Sequence, residues 1–355
     1  MPSWVRRCLQ AGYDRQGDRA AQVHGGTDGA NPSSGLVRDN AGNLYGTTST
    51  GGGHGFGVVF KLDTTGRETV LHSFTGGADG ANPNFGDPGL LRDVAGNLYG
   101  TTGAGGDLAC RFVPALPSSL SFPGCGVVFK LGTTGKETVL HSFTGGADGA
   151  DPATGLVRDA AGNLYGNTGA GGDLACGGGS GCGVVFKLDT TGKETVLHRF
   201  TGGADGAAPS TAAGLVRDAA GNLYGNTFTG GHGTCPGGCG VVFKLGTTGK
   251  ETVLHSFTGG SDGAAPEAGL VRDNAGNLYG TTDSGGDLAC GSGFGCGVVF
   301  KLDTTGKEIV LHKFTGGKDG AFPAGRLVRD SAGNLYGTTQ SGGAFFSGVV
   351  FKLTP

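Results

Sequence analysis

Long apolar runs are missing from this sequence. No stretch approaches the roughly 18 to 20 residues that a membrane-spanning helix needs, so no membrane span is expected. Charge is also sparse. Asp, Glu, Lys and Arg make up 15% of the 355 residues and leave a formal net charge of -3 without a basic block, which argues against nucleic acid as the main partner. The N-terminal MPSWVRRCLQAGYDRQGDR carries arginines but lacks the continuous apolar stretch of a signal peptide. Walker, dinucleotide and His-x-x-x-His patterns are absent from any credible context. A Gly-x-Ser-x-Gly match at Gly259-Gly260-Ser261-Asp262-Gly263 lies in a linker where other copies carry Ala, Thr or Lys, without the strand-turn-helix setting of a nucleophile elbow. No residue is assigned a catalytic role.

Glycine is abundant, 79 of 355 residues, and it recurs at fixed places in a repeat. The text RDxAGNLYG begins at Arg38, Arg92, Arg158, Arg217, Arg272 and Arg329. In the first copy four β-favouring runs are Leu36 to Asp39, Leu44 to Thr48, Gly57 to Asp63 and Glu68 to Thr75. Two tight turns, Asn40-Ala41-Gly42-Asn43 and Thr64-Thr65-Gly66-Arg67, place Gly where a positive φ is wanted. Four antiparallel strands in each repeat describe a propeller blade.

The expected fold is all-β: a six-bladed β-propeller with four antiparallel strands per blade, forming one domain over residues 22–355 behind a poorly ordered segment, 1–21. The chain stops after a third strand, at Phe351-Lys352-Leu353-Thr354-Pro355, whereas Gln22 to Gly29 resembles the end of a fourth. The last blade is therefore expected to be closed by an N-terminal strand. No oligomer is implied.

Cysteines come in pairs in four successive repeats, between LYG and GVVF: Cys110 with Cys125, Cys176 with Cys182, Cys235 with Cys239, and Cys290 with Cys296. The first and last repeats have neither member. Presence or absence in pairs is what local disulfides require. Zinc ligation is the rival, but short pairs without nearby His make poor tetrahedral sites. Disulfides imply an oxidising compartment, hence a secreted, periplasmic or cell-surface protein.

The repeat text PxxGLVRDxAGNLYGTT, followed by GVVFKLDTTGKETVLHSFTGG, resembles the GloVer tandem repeat of bacterial surface and secreted proteins, and covers nearly everything after residue 22. The pattern D-x-x-G-N-[LI]-Y is also similar to NHL-type six-bladed propellers. The resemblance implies a fold and an extracellular setting more than an activity.

If strand one is innermost, the linkers and the loops between strands two and three share one rim, and the tight turns occupy the other. Loop-length variation falls on the first rim, where propeller function usually sits. The linker aspartates Asp28, Asp79, Asp148, Asp205, Asp262 and Asp319 lie there, as do Asp107, Asp173 and Asp287 of the GGDLAC loops. Each could cap its own turn, or some could coordinate Ca²⁺ with loop carbonyls. Blades three and four read Gly-Asn-Thr where others read Gly-Thr-Thr, so Asn167 and Asn226 offer amide oxygens near the channel. The candidate metal ligands are thus Asn167, Asn226, Asp173, Asp205 and Asp287. The arginines of LVRD are expected to pair with acids, and the tyrosines of NLYG to pack between sheets. Two functions stay open. Gluconolactonase-like and paraoxonase-like six-bladed propellers imply a Ca²⁺-dependent hydrolase of sugar lactones or acyl-homoserine lactones. The other reading is a non-catalytic module binding a glycan or a protein through the loop rim, which near-identical blades favour.

Overall fold

The computed structural model describes residues 24–355 apart from 33, 84–88, 111–122, 153 and 211–213. Six antiparallel sheets follow one another along the chain, and in the first five of them strands one to four of the repeat lie side by side in chain order. Blade one consists of Val37–Arg38, Leu44–Thr48, Val58–Leu62 and Glu68–Ser73, and blades two to five repeat the plan. The fold is a six-bladed β-propeller. Blade six has three strands among the described residues, Val328–Arg329, Leu335–Thr338 and Val350–Leu353. The strand expected to complete it lies outside the described residues up to Val23. From His24 the chain folds as the other linkers do: Gly25 N–H donates to Gly29 O at 3.0 Å, as Gly76 does to Gly80 at 3.1 Å. Two linkers also add a short strand, Ala81–Pro83 and Ala207–Pro209, along strand two of the blade they enter.

The repeat text explains its own turn. Asp39 accepts the Asn43 backbone N–H at 2.9 Å, the Asn43 side-chain amide at 2.8 Å and the Tyr45 hydroxyl at 3.0 Å. Gly42 supplies the φ of 91° that closes the loop. Hydrogen bonds to its charged form, that from the Asn43 side chain foremost, hold the Asp39 carboxyl down at about 2. The same three-donor arrangement recurs at Asp93, Asp159, Asp218, Asp273 and Asp330. RDxAGNLY therefore encodes a turn and anchors its tyrosine, as a scaffold motif should.

Blades are joined by five apolar clusters, one at each seam from blade one to blade six. In every one, the Phe of HxFTGG meets the Phe of VVFKL on the next blade edge to face: Phe74 with Phe129, Phe143 with Phe186, Phe200 with Phe243, Phe257 with Phe300, and Phe314 with Phe351, all at 5.2 Å. The LVRD arginines depart from the ion pairing expected of them. Arg92, Arg158, Arg217, Arg272 and Arg329 instead lie over the tyrosine ring of the preceding blade, 5.7 to 6.0 Å from its centre. A planar guanidinium can stack there and still sense the aspartate that holds the tyrosine hydroxyl.

The seam between blades six and one is different. Among the described residues no apolar cluster bridges it, and neither Arg38 nor Tyr336 has a stacking partner across it. Leu36 is 55% exposed and Val350 82%, against 3% for Leu90 and 0% for Val59 at the corresponding positions. Blade six and blade one thus each present a seam face to solvent.

Candidate functional site at the linker rim

The predicted rim assignment holds. The linker and the two-to-three loop of a blade meet through Ala30 with Thr50, Ala150 with Ala170, Ala264 with Ser284 and Ala321 with Ser341. The tight turns lie at the opposite strand ends. All four cysteine pairs are bonded, with Cα atoms 5.8, 5.5, 5.1 and 5.5 Å apart. Each bond covers the first glycine of the linker that follows its blade: a Cβ added at Gly145 would lie 2.5 Å from Cys110 Sγ. Blade one has no disulfide and places the Phe56 ring over the matching Gly76.

The linker aspartates cap their turns. Asp205 accepts the Thr201 backbone N–H at 3.0 Å and its hydroxyl at 2.6 Å, with His198 Nε2 3.4 Å away. Asp173 and Asp287 each accept an N–H two residues on, from Ala175 and Ala289, at 3.0 Å. Each of these three candidates is bound into its own turn. Among the described residues no group of three His, Cys, Asp or Glu side chains is placed to hold a metal ion. The histidines missed at sequence level as partners of these aspartates are His72, His141, His198, His255 and His312, all 3.2 to 3.6 Å from the linker carboxylate.

Asn167 and Asn226 are buried and tie neighbouring blades together. Asn167 donates its amide to Ser210 O at 3.3 Å, and its Oδ1 is buried without a partner. Asn226 donates to Pro266 O and Ala268 O, the carbonyls on either side of Glu267. Ser210 Oγ donates to Glu267 O itself. Three bonds from blade four therefore fix the backbone of one glutamate at the entrance to strand one of blade five. Thr101 and Thr281 make the corresponding bonds to Thr154 O and Pro323 O in other blades. Entrances to strand one thus touch from blade to blade, as the inner ends of blades must.

Glu267 shares this place with Asp283. Asp283 N–H donates to Ala265 O at 3.0 Å, two residues before Glu267. Burial pushes the Glu267 carboxyl up, and the charge of Asp283 pushes it further; burial alone raises Asp283. Sequence reasoning passed over both, although a comparison among copies marks them. After the linker proline the six copies read Ser33, Asn84, Ala153, Ser210, Glu267 and Ala324; after the LYGxT text they read Ser49, Gly103, Gly169, Phe228, Asp283 and Gln340. Only blade five has an acid at either position. Another buried acid, Asp151, is raised to about 6 by burial and enters blade three.

A family model described as the Gloeobacter/Verrucomicrobia repeat matches residues 14–235, 119–294 and 174–355. Comparison with curated proteins finds no match. Among solved structures, streptogramin B lyase superposes with a TM-score of 0.50 at 12% identity, over 90% of this chain and 78% of the lyase. A gluconolactonase from Xanthomonas campestris gives 0.44 at 15% identity, over 93% and 88% of the two chains. The calcium-binding protein regucalcin from Agrobacterium tumefaciens gives 0.46 at 17% identity, over 90% and 88%. At such identities the likeness is one of fold.

Proposed function

The chain belongs to the Gloeobacter/Verrucomicrobia repeat family, and on that scaffold we propose a secreted hydrolase of lactones, of the sugar-lactone or acyl-homoserine-lactone class, acting at the linker-side mouth of the propeller. The observation that carries this reading is the pair Glu267 and Asp283: two desolvated carboxyls, found on one blade only, with the backbone of one gripped by Asn226 and Ser210. Disulfides in four blades support export to an oxidising compartment.

Two desolvated carboxyls, Glu267 raised further by the charge of Asp283, fit a hard divalent cation, which would offset that charge and prefers oxygen ligands. Glu267 and Asp283 would hold Ca²⁺, with backbone carbonyls of the linker completing the donor set. The unpartnered Oδ1 of Asn167 is a further oxygen on the neighbouring seam. Asp173, Asp205 and Asp287 remain turn caps in this proposal. Bound there, Ca²⁺ would supply Lewis-acid polarisation of a lactone carbonyl. Asn226 and Ser210 hold the backbone on either side of Glu267 and so fix where its carboxyl enters the site.

The double variant Glu267→Gln with Asp283→Asn is expected to lower kcat/KM on glucono-δ-lactone or an acyl-homoserine lactone by roughly 100-fold, with its melting temperature retained. A calcium chelator should give a comparable loss with wild type. Turnover unaffected by both treatments would remove these residues from the chemistry.

A second reading, a non-catalytic module that binds a glycan or protein through the loop rim, is favoured by a separate observation: among the described residues, seven of the thirteen exposed large apolar side chains stand on that rim.

A further inference from the structure

The GGDLAC loops hold a leucine where it cannot collapse inward. In blade three Asp173 Oδ1 accepts the Ala175 N–H at 3.0 Å, and Cys176 N–H donates to Asp173 O at 3.1 Å. Asp-Leu-Ala-Cys is thus a tight turn with Leu174 at its apex, and the Cys176–Cys182 bond fixes its far end. Blades two and five build the same turn with the same bonds. Leu108, Leu174 and Leu288 are accordingly 51%, 48% and 48% exposed. Phe228 is 41% exposed on blade four between them, and Phe294 is 75% exposed beside Leu288. Four consecutive blades, all of them disulfide-clasped, therefore each raise a large apolar side chain on one rim. Among the described residues the tight turns of the other rim expose Val94.

Charge on this rim is mainly acidic. Every linker carries an aspartate, and each apical leucine follows another. The repeat's own cations, in LVRD, VVFKL and TTGK, stand toward the turn rim, leaving Arg199, Lys313, Lys318 and Arg326 in linkers and strand-four ends and Arg111 in the blade-two loop, fewer than the acids. An acidic surface studded with rigid apolar knobs complements a surface that is basic and apolar at once. A glycan would ask for a dense set of hydrogen-bonding groups, which the apical leucines do not offer, and the repeat tyrosines are held in the seams.

We propose that the loop rim of blades two to five docks a protein partner through a basic amphipathic segment, with Leu108, Leu174, Phe228 and Leu288 as its apolar anchors. This deepens the binding-module reading and is independent of the lactonase one. The disulfides serve the interface by pre-organisation: anchors already fixed in place lose little conformational freedom on binding.

The test uses the whole protein and a fluorescent 15-residue amphipathic peptide of Leu and Lys, read by anisotropy at low and high salt. Binding is expected, weakened by salt, and weakened about tenfold or more in Leu108→Ser/Leu174→Ser/Leu288→Ser. Val94→Ser, on the opposite rim, should leave it unchanged. Equal affinity for a Leu/Glu peptide, or unaltered binding by the triple variant, overturns the proposal. A glycan array run alongside separates the two levels: glycan capture without peptide binding keeps a binding rim and rejects the protein partner, and capture of neither rejects both.

Discussion

Truncation of Leu215 to alanine is expected to cost about 2–5 kcal/mol of stability, whereas the same truncation at Leu36 is expected to cost under about 1 kcal/mol. Both leucines open a copy of LVRD and occupy the same place in their blades. Leu215 is 2% exposed in the seam between blades three and four, packed with Val185, Phe200 and Phe243. Deleting its side chain leaves a cavity among rings that are already locked edge to face. Leu36 is 55% exposed, so its removal forfeits only part of the transfer free energy and opens no void. Chemical denaturation of the two variants against wild type measures the difference. Equal losses would show that blade six packs onto blade one in solution.

This contrast also shows what the sequence could reveal. Repeat spacing and turn chemistry identify six blades, because RDxAGNLYG and TTGK state their turns locally and each blade folds from contacts within about forty residues. The cysteine pairs were legible for the same reason, since presence or absence together needs no long-range information. The arginines were misassigned because their partner is a tyrosine ring one blade away, and the relation between successive blades is written nowhere in the linear order. Asn226 was noticed as a departure from the repeat and as an amide oxygen near the channel, but nothing in the linear order shows that its amide nitrogen clamps the backbone around Glu267. Glu267 and Asp283 stand 16 residues apart in the sequence and were hidden by the strength of the repeat itself. A motif repeated six times draws attention to what is common, and a single site must reside in what is not. Most residues that looked chemical, the linker aspartates and the strand-four histidines, turned out to satisfy one another.

That mutual satisfaction is incomplete at the base of strand four, and pH should reveal it. Glu137, Glu194, Glu251 and Glu308 are raised to about 7, mainly by burial. The linker aspartate of the preceding blade adds to the shift at Glu137, Glu251 and Glu308, through Asp79, Asp205 and Asp262. One oxygen of each carboxyl is buried without a hydrogen-bond partner. A folded-state pKa above the unfolded value means that the native protein binds the extra protons, so this stabilisation is complete below about 4.5 and is lost as pH rises through 7. His72, His198 and His255 act in the opposite sense. Burial depresses them, and stability is lost as pH falls below their unfolded value near 6.5. Below pH 6.5 the two sets oppose each other, whereas between 6.5 and 8 the glutamates act alone. Because these side chains are only about half-buried, solvent screening reduces each contribution, and the four together are expected to remove roughly 1–2 kcal/mol across that interval. Thermal unfolding of wild type should therefore move to lower temperature between pH 6.5 and 8. Replacing the four glutamates with glutamine should flatten that limb while keeping the histidine-driven loss at lower pH. An unchanged slope in the glutamine variant would mean that the outer-strand carboxyls are ionised already at pH 6.5, and that their burial is relieved by water.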